Sequence, residues 1–290
     1  MSALGKREFG LRHYFVAFLD VLGQRDELRS LKWPRTDEER VATARTLERT
    51  AGFVLELRKS FEEFFDEQAR PTGLLDGLPE AALRQAQLWR KSTVSHRGMS
   101  DSIVITVPLS NENDHCNSLG STFSAMFAAA GVFVISLSQQ RALRAGLDVG
   151  VGVEIAPNEI YGAGPERAYR LESRVASWPR ILVGPDLWNY LSSAESQLPN
   201  TASGQLAKQF ASAAMSLVTV SEDGHRMLDF LGQGVRSITD GLPLEAIRAA
   251  YDFVRQEEQR FLDAGDLKLA PRYAVLRRYM ESRLSLWGVS

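Results

Sequence analysis

The chain has 290 residues, 44% hydrophobic and 24% charged, and 34 Lys and Arg against 36 Asp and Glu leave a formal charge of -2. That balance fits one large globular domain with additions, or two domains, and gives no global electrostatic case for nucleic acid or an anionic membrane as partner. Cys116 is the one cysteine, which excludes an intrachain disulfide framework and any site built on several thiolates.

The first ten residues lack the apolar segment of a signal peptide, and the apolar run from Ala125 to Leu137 falls short of the roughly 20 residues of a membrane span. A cytoplasmic protein is expected. Tyr14 to Leu19 reads as a buried strand closed by Asp20, and Gly23 marks the turn into a helical stretch carrying Glu27, Leu28 and Leu31. Pro34 stops that element. Thr36 and Glu39 then have the spacing of a capping box for a helix through about Glu67, with Leu47, Phe53, Val54, Leu57, Phe61 and Phe64 at helical spacing.

Pro71, Gly73, Gly77 and Pro79 break the chain before a shorter helix to about Lys91, so residues 36–91 read as a helical insertion. Ser92 to Arg97 and Ser102 to Val107 are strand-like, and the tight connection between them carries Asp101. His115 to Gln140 predicts a long apolar helix, Arg144 to Ile155 alternates as a strand, and Pro165 to Ala176 predicts a helix. Arg180 to Val183 returns as a strand before a helix over Asp186 to Leu191. Strand, helix, two strands, helix, strand is the ferredoxin-like βαββαβ order of an α+β domain with an antiparallel sheet.

Ser193 to Gln205 reads as a polar surface loop, and Met215 to Val220 with Met227 to Leu231 flank a Ser-Glu-Asp-Gly-His turn as a late hairpin. Leu244 to Ala264 and Pro271 to Trp287 are amphipathic helices. The expected division is a domain over 1–235, including the insertion, and a helical extension over 236–290.

Asp20 and Asp101 both stand where apolar strands end. A carboxylate beside buried β surface needs a cation or hydrogen bonds in compensation, so two brought together would suit a divalent metal. His13, His96 and His115 have no zinc spacing, and no Ser-His-Asp arrangement is defensible.

Phe-Leu-Asp-Val-Leu-Gly-Gln at 18–24, Met-Ser-Asp-Ser-Ile-Val-Ile at 99–105 and Tyr-Gly-Ala-Gly-Pro-Glu-Arg-Ala-Tyr-Arg-Leu-Glu at 161–172 occur in an order that resembles the class III nucleotidyl cyclases. Within them it looks most like the bacterial pyrimidine cyclases of the Pycsar antiphage system, over roughly residues 14–232 apart from the insertion. The resemblance implies that Asp20 and Asp101 chelate two Mg2+ or Mn2+ ions per site, with the carbonyl of Val21 as a further ligand. Leu22, Gly23 and Gln24 would cradle phosphate, and Arg170, acting across a homodimer interface, would stabilise charge on the transferring phosphate.

Glu166 departs from the pattern, because purine cyclases carry an asparagine four residues before that arginine, and an ionised glutamate cannot donate a hydrogen bond. The base-selecting positions fall on Arg97 and Glu159, which match a purine pattern poorly and suit uracil without excluding cytosine; a salt bridge between the two is the bland alternative. In the late hairpin, His225 and Arg226 stand near the lysine that family members set against the triphosphate, with Arg226 the better candidate. The expected activity is conversion of UTP to 3′,5′-cyclic UMP and pyrophosphate, read by a separate effector in antiphage defence. The alternatives are cyclic CMP production and a noncatalytic nucleotide-binding homologue.

Overall fold

The computed structural model describes residues 10–67, 77, 79–88, 94–99, 102–109, 115–156, 159–238 and 242–289. Its centre is β1 (Leu11–Val21), which is antiparallel to β3 (Ser102–Leu109) on one side and to β4 (Leu143–Ala156) on the other. The alternation of a strand sorts its side chains: Phe15, Ala17, Leu19 and Val21 enter the main core, while Tyr14, Val16 and Phe18 pack on the opposite face. Asp20 has the parity of this second set.

β2 (Ser95–Met99) forms a hairpin with β3 and is the outer strand on that side. Beyond β4 come β6 (Ile181–Val183), β8 (Arg226–Leu228) and β7 (Val218–Val220), and β5 (Glu159–Gly162) pairs with the far end of β4. β6 runs parallel to β4, so this α+β fold has a mixed, open sheet where a wholly antiparallel one was expected. The reason is the crossover through helix α5 (Ala163–Arg170), which brings the chain back in the direction of β4.

One face of the sheet is covered by α4 (His115–Ser138), a 24-residue helix. By length and composition Ser118–Ser138 would pass for a membrane span, yet 94% of its most apolar window is buried inside this fold. Around it lie α2 (Asp37–Glu67), α7 (Ala202–Ser216) and α9 (Leu244–Asp263). The capping box starts α2 as expected: Thr36 Oγ1 accepts from Glu39 N at 3.2 Å, and Glu39 Oε2 accepts from Thr36 N at 3.3 Å. α1 (Gln24–Ser30) and α3 (Glu80–Leu88) complete the N-terminal half.

The expected polar loop over Ser193 to Gln205 is mostly helical. α6 (Pro185–Gln197) continues through its first part, and α7 begins at Ala202, capped by Thr201, whose hydroxyl accepts from Gly204 N at 3.2 Å. Leu206, Phe210 and Ala214 recur every fourth residue and bury against the core, outweighing the Ser and Gln content that suggested a loop. Met215 is therefore helical, and the late hairpin is shorter than expected. α8 (Gln233–Ile238) leads to α9 and α10 (Ala270–Leu284), whose Ile247, Val254, Leu276 and Met280 join the main core.

Candidate active site

Asp20 lies at the end of β1 and is 7% exposed. It is the Cα partner of Ser102 on β3 and of Arg144 on β4. Ser102 Oγ donates to Asp20 Oδ1 at 3.2 Å, and Arg144 Nη2 donates to Oδ2 at 3.3 Å. The same Nη2 stands 2.8 Å from Glu172 Oε1, so one guanidinium lies between two buried carboxylates. Glu172 is delivered by a π turn, Leu171–Val175, that follows α5 directly and closes with the Ala176 N to Leu171 O bond. Among the described residues, no three His, Cys, Asp or Glu side chains gather as a metal cluster. Asp101 lies outside the described residues; Ser102, which follows it, sits opposite Asp20.

After Asp20 the chain turns sharply. Val21 pairs with Leu143 and sends its side chain into the core, while Leu22 N donates to Ala142 O at 2.9 Å. Gly23 has φ 83°, a left-handed conformation that a side chain disfavours, and it opens α1. The Gln24 side chain turns inward and donates to Thr50 O at 3.2 Å, tying the start of α1 to α2. Beside this turn, burial alone would raise the pKa of Glu27, but Arg141 and Arg49, at 3.0 and 2.7 Å, hold it below the usual carboxylate value.

α5 rests on the second face of the sheet, close enough that a β-carbon at Gly146 would run into the Ala168 carbonyl. Tyr169 meets Phe18 edge-on, with ring centroids 5.2 Å apart, which fixes the end of α5 over β1 two residues before Asp20. Arg170 is the last residue of α5. It is exposed and has no ion pair or side-chain hydrogen bond among the described residues. Glu166, one turn earlier, is exposed as well.

The fold resembles a known one. It is similar to that of the adenylyl cyclase CyaB from P. aeruginosa, at 14% sequence identity and a TM-score of 0.37, covering 64% of this chain and 84% of that one. This is a remote structural likeness. No protein-family profile matches the chain, and no curated protein matches it.

The remaining expected site residues disperse. Arg97 on β2 shares a row with Val104, Phe18 and Gly146, whereas Glu159 pairs with Ala156, ten residues farther along β4. At the rise of a strand that is about 30 Å, so one chain unites the two positions neither as a base pocket nor as a salt bridge. Arg226 stands on β8, three strands and roughly 14 Å from β1, with its guanidinium 4.6 Å from the centre of the Trp188 ring.

Arg144, in register with Asp20, and Glu172, which shares its guanidinium, are not among the expected site residues. Their signals were present: Arg144 opens the alternating strand, and Glu172 closes the 161–172 segment.

A third buried carboxylate belongs to the scaffold. Asp148 on β4 is 1% exposed and accepts from Leu187 N at 2.8 Å and Val149 N at 2.9 Å, capping α6 from across the sheet. Burial pushes its pKa up to about 6, against the lowering effect of those two amides.

Proposed function

We propose that this chain is a pyrimidine nucleotide cyclase of the class III type, converting UTP to 3′,5′-cyclic UMP and pyrophosphate. The observation that carries the reading is the β1–β3 register, in which Asp20 pairs with Ser102, the residue after Asp101. The order β2-β3-β1-β4, antiparallel throughout, supports a ferredoxin-like core, and the left-handed Gly23 beside Asp20 supports a phosphate-facing turn.

In this reading Asp20, the Val21 carbonyl and Asp101 hold Mg2+ or Mn2+. The donor chemistry fits, since hard divalent cations take oxygen ligands and Asp20 brings a carboxylate to the end of β1 beside the Val21 carbonyl. Two bound ions would neutralise the triphosphate and activate the ribose 3′-hydroxyl. Arg144 keeps Glu172 compensated while Asp20 serves the ion. Arg170, which has no ion pair among the described residues, reaches the transferring phosphate of a partner subunit as a fixed cation.

A homodimer would also cover Leu11, Val151 and Tyr161, large apolar side chains left exposed where the β1, β4 and β5 ends project from the core. With Glu159 far along β4, Arg97 is the chain's own base contact near Asp20, donating to uracil O4 or O2. Cytosine O2 and N3 would accept from it equally, which makes cyclic CMP the nearest alternative. Glu166, which lacks the asparagine's donor, favours the noncatalytic reading. The product would act through a separate effector protein in the cytoplasm, in antiphage defence.

Incubation with each of the four nucleoside triphosphates and Mn2+, followed by chromatography, tests this. UTP should yield cyclic UMP and pyrophosphate, and Asp20→Ala or Asp101→Ala should yield neither from a folded protein. Product from either variant, or nucleotide binding without turnover in the wild type, would overturn the catalytic assignment.

A further inference from the structure

Between the Leu22–Gly23 turn and the C-terminal helices lies a cleft of about 560 Å3, within the range of small-molecule sites. One side is the turn itself with Ala142. The other carries Phe253 and Phe261 of α9 and Tyr273 of α10. Four arginines and three carboxylates line it.

Three of those arginines are already held. Arg141 pairs with Glu27 at 3.0 Å, Arg144 is shared by Asp20 and Glu172, and Arg260 binds Glu257 at 2.6 Å. The fourth, Arg272, has no ion pair or side-chain hydrogen bond among the described residues. It is half-buried in the first turn of α10, where the positive end of the helix dipole disfavours a cation. Among the described residues no carboxylate of the cleft lies within ion-pair distance of it, the helix does not offset its charge, and the Gly23 backbone borders the same cleft.

We infer that Arg272 is the cation that takes the terminal phosphates of the substrate, so that the C-terminal helix pair forms one wall of the active site. This rests on the cyclase reading above for its substrate and reassigns the role expected of Arg226, which is spent on Trp188. A planar guanidinium with forked donors suits a phosphate group, and the Leu22–Gly23 turn presents its backbone from the other side.

The test is calorimetric titration of the full chain with inorganic tripolyphosphate and with 3′-deoxy-UTP, neither of which can cyclise. Loss of a charge-assisted contact should weaken both by about tenfold or more in Arg272→Ala, with partial recovery in Arg272→Lys and wild-type affinity in Arg226→Ala. Circular dichroism of each variant should overlay the wild type; if that of Arg272→Ala does not, Arg272→Gln takes its place.

Unchanged affinity in the folded Arg272 variant, or a wild type that does not bind tripolyphosphate, would overturn the inference. Binding lost in Arg272→Ala from a wild type that cyclises no nucleoside triphosphate would keep the phosphate site and discard the cyclase reading. Cyclisation by an Arg272→Ala protein with unaltered affinity for both probes would do the reverse.

Discussion

Asp20 and Arg144 are direct partners across the β1–β4 ladder, and the guanidinium that reaches Asp20 is the same one that compensates Glu172. Removing that cation takes its charge away from two buried carboxylates at once. Arg144→Ala should therefore cost about 3 kcal/mol in urea unfolding, with much of the loss recovered in Arg144→Met combined with Glu172→Gln. A single substitution within 0.5 kcal/mol of wild type would show that the three charges do not act together.

Asp148 predicts a pH signature. Its folded pKa of about 6 lies above the ordinary 3.8, so folding favours the protonated carboxyl. The stability this group contributes is complete below about pH 4 and lost as pH rises through about 6, a swing on the order of 3 kcal/mol. Asp148→Asn keeps an acceptor for Leu187 N without the charge. The stability difference between variant and wild type should move in favour of asparagine from pH 4 to pH 7, and a flat difference would refute the raised pKa.

Asp229 ties the C-terminal helices to the sheet. It accepts from Tyr279 Oη at 2.8 Å and from Arg283 Nε and Nη2 at 2.9 and 3.1 Å, beside the Trp287 indole N–H that donates to Leu231 O. Asp229→Ala leaves a buried phenol and a guanidinium without their acceptor, a loss of about 2–4 kcal/mol. Hydrogen exchange should show it first in α10, whose amides should lose protection ahead of those in β1.

Arg170 is exposed and has no ion pair among the described residues, so Arg170→Ala should leave stability within about 0.5 kcal/mol while lowering cyclic-nucleotide turnover roughly 100-fold. Mixing Arg170→Ala with Asp101→Ala subunits should restore part of the activity through one intact composite site. Absence of rescue after subunit exchange would count against a site shared between subunits.

Local signals in the sequence carried far. The continuous apolar run of β1, the alternation in β4, the Thr36–Glu39 capping box and the apolar length of α4 each state their own structure, because backbone geometry and burial are decided within a few residues. α7 was obscured because small and polar residues describe its outer face, and its apolar stripe shows only at fourfold spacing. The parallel pairing of β6 with β4 depends on where α5 returns the chain, which no local pattern records.

The site divides the same way. Asp20 and Gly23 are legible as a strand end and a turn. The Arg144–Glu172 pair depends on where the π turn after α5 meets β4, and the distance between Arg97 and Glu159 on strand register, both settled only when the elements meet. Arg226 looked suitable as a charge near a hairpin turn, but its strand lies at the far side of the sheet and its guanidinium rests on Trp188.

α4 has a consequence for how the chain is made. Its apolar surface needs cover on every side, and part of that cover comes from α9, about a hundred residues later in the sequence. Phe133 meets Phe230 at a tilt, and Phe230 in turn meets Tyr279. A nascent chain that has reached residue 235 still shows an uncovered greasy flank, so the protein is most exposed to aggregation and to chaperone capture in the last fifth of its synthesis.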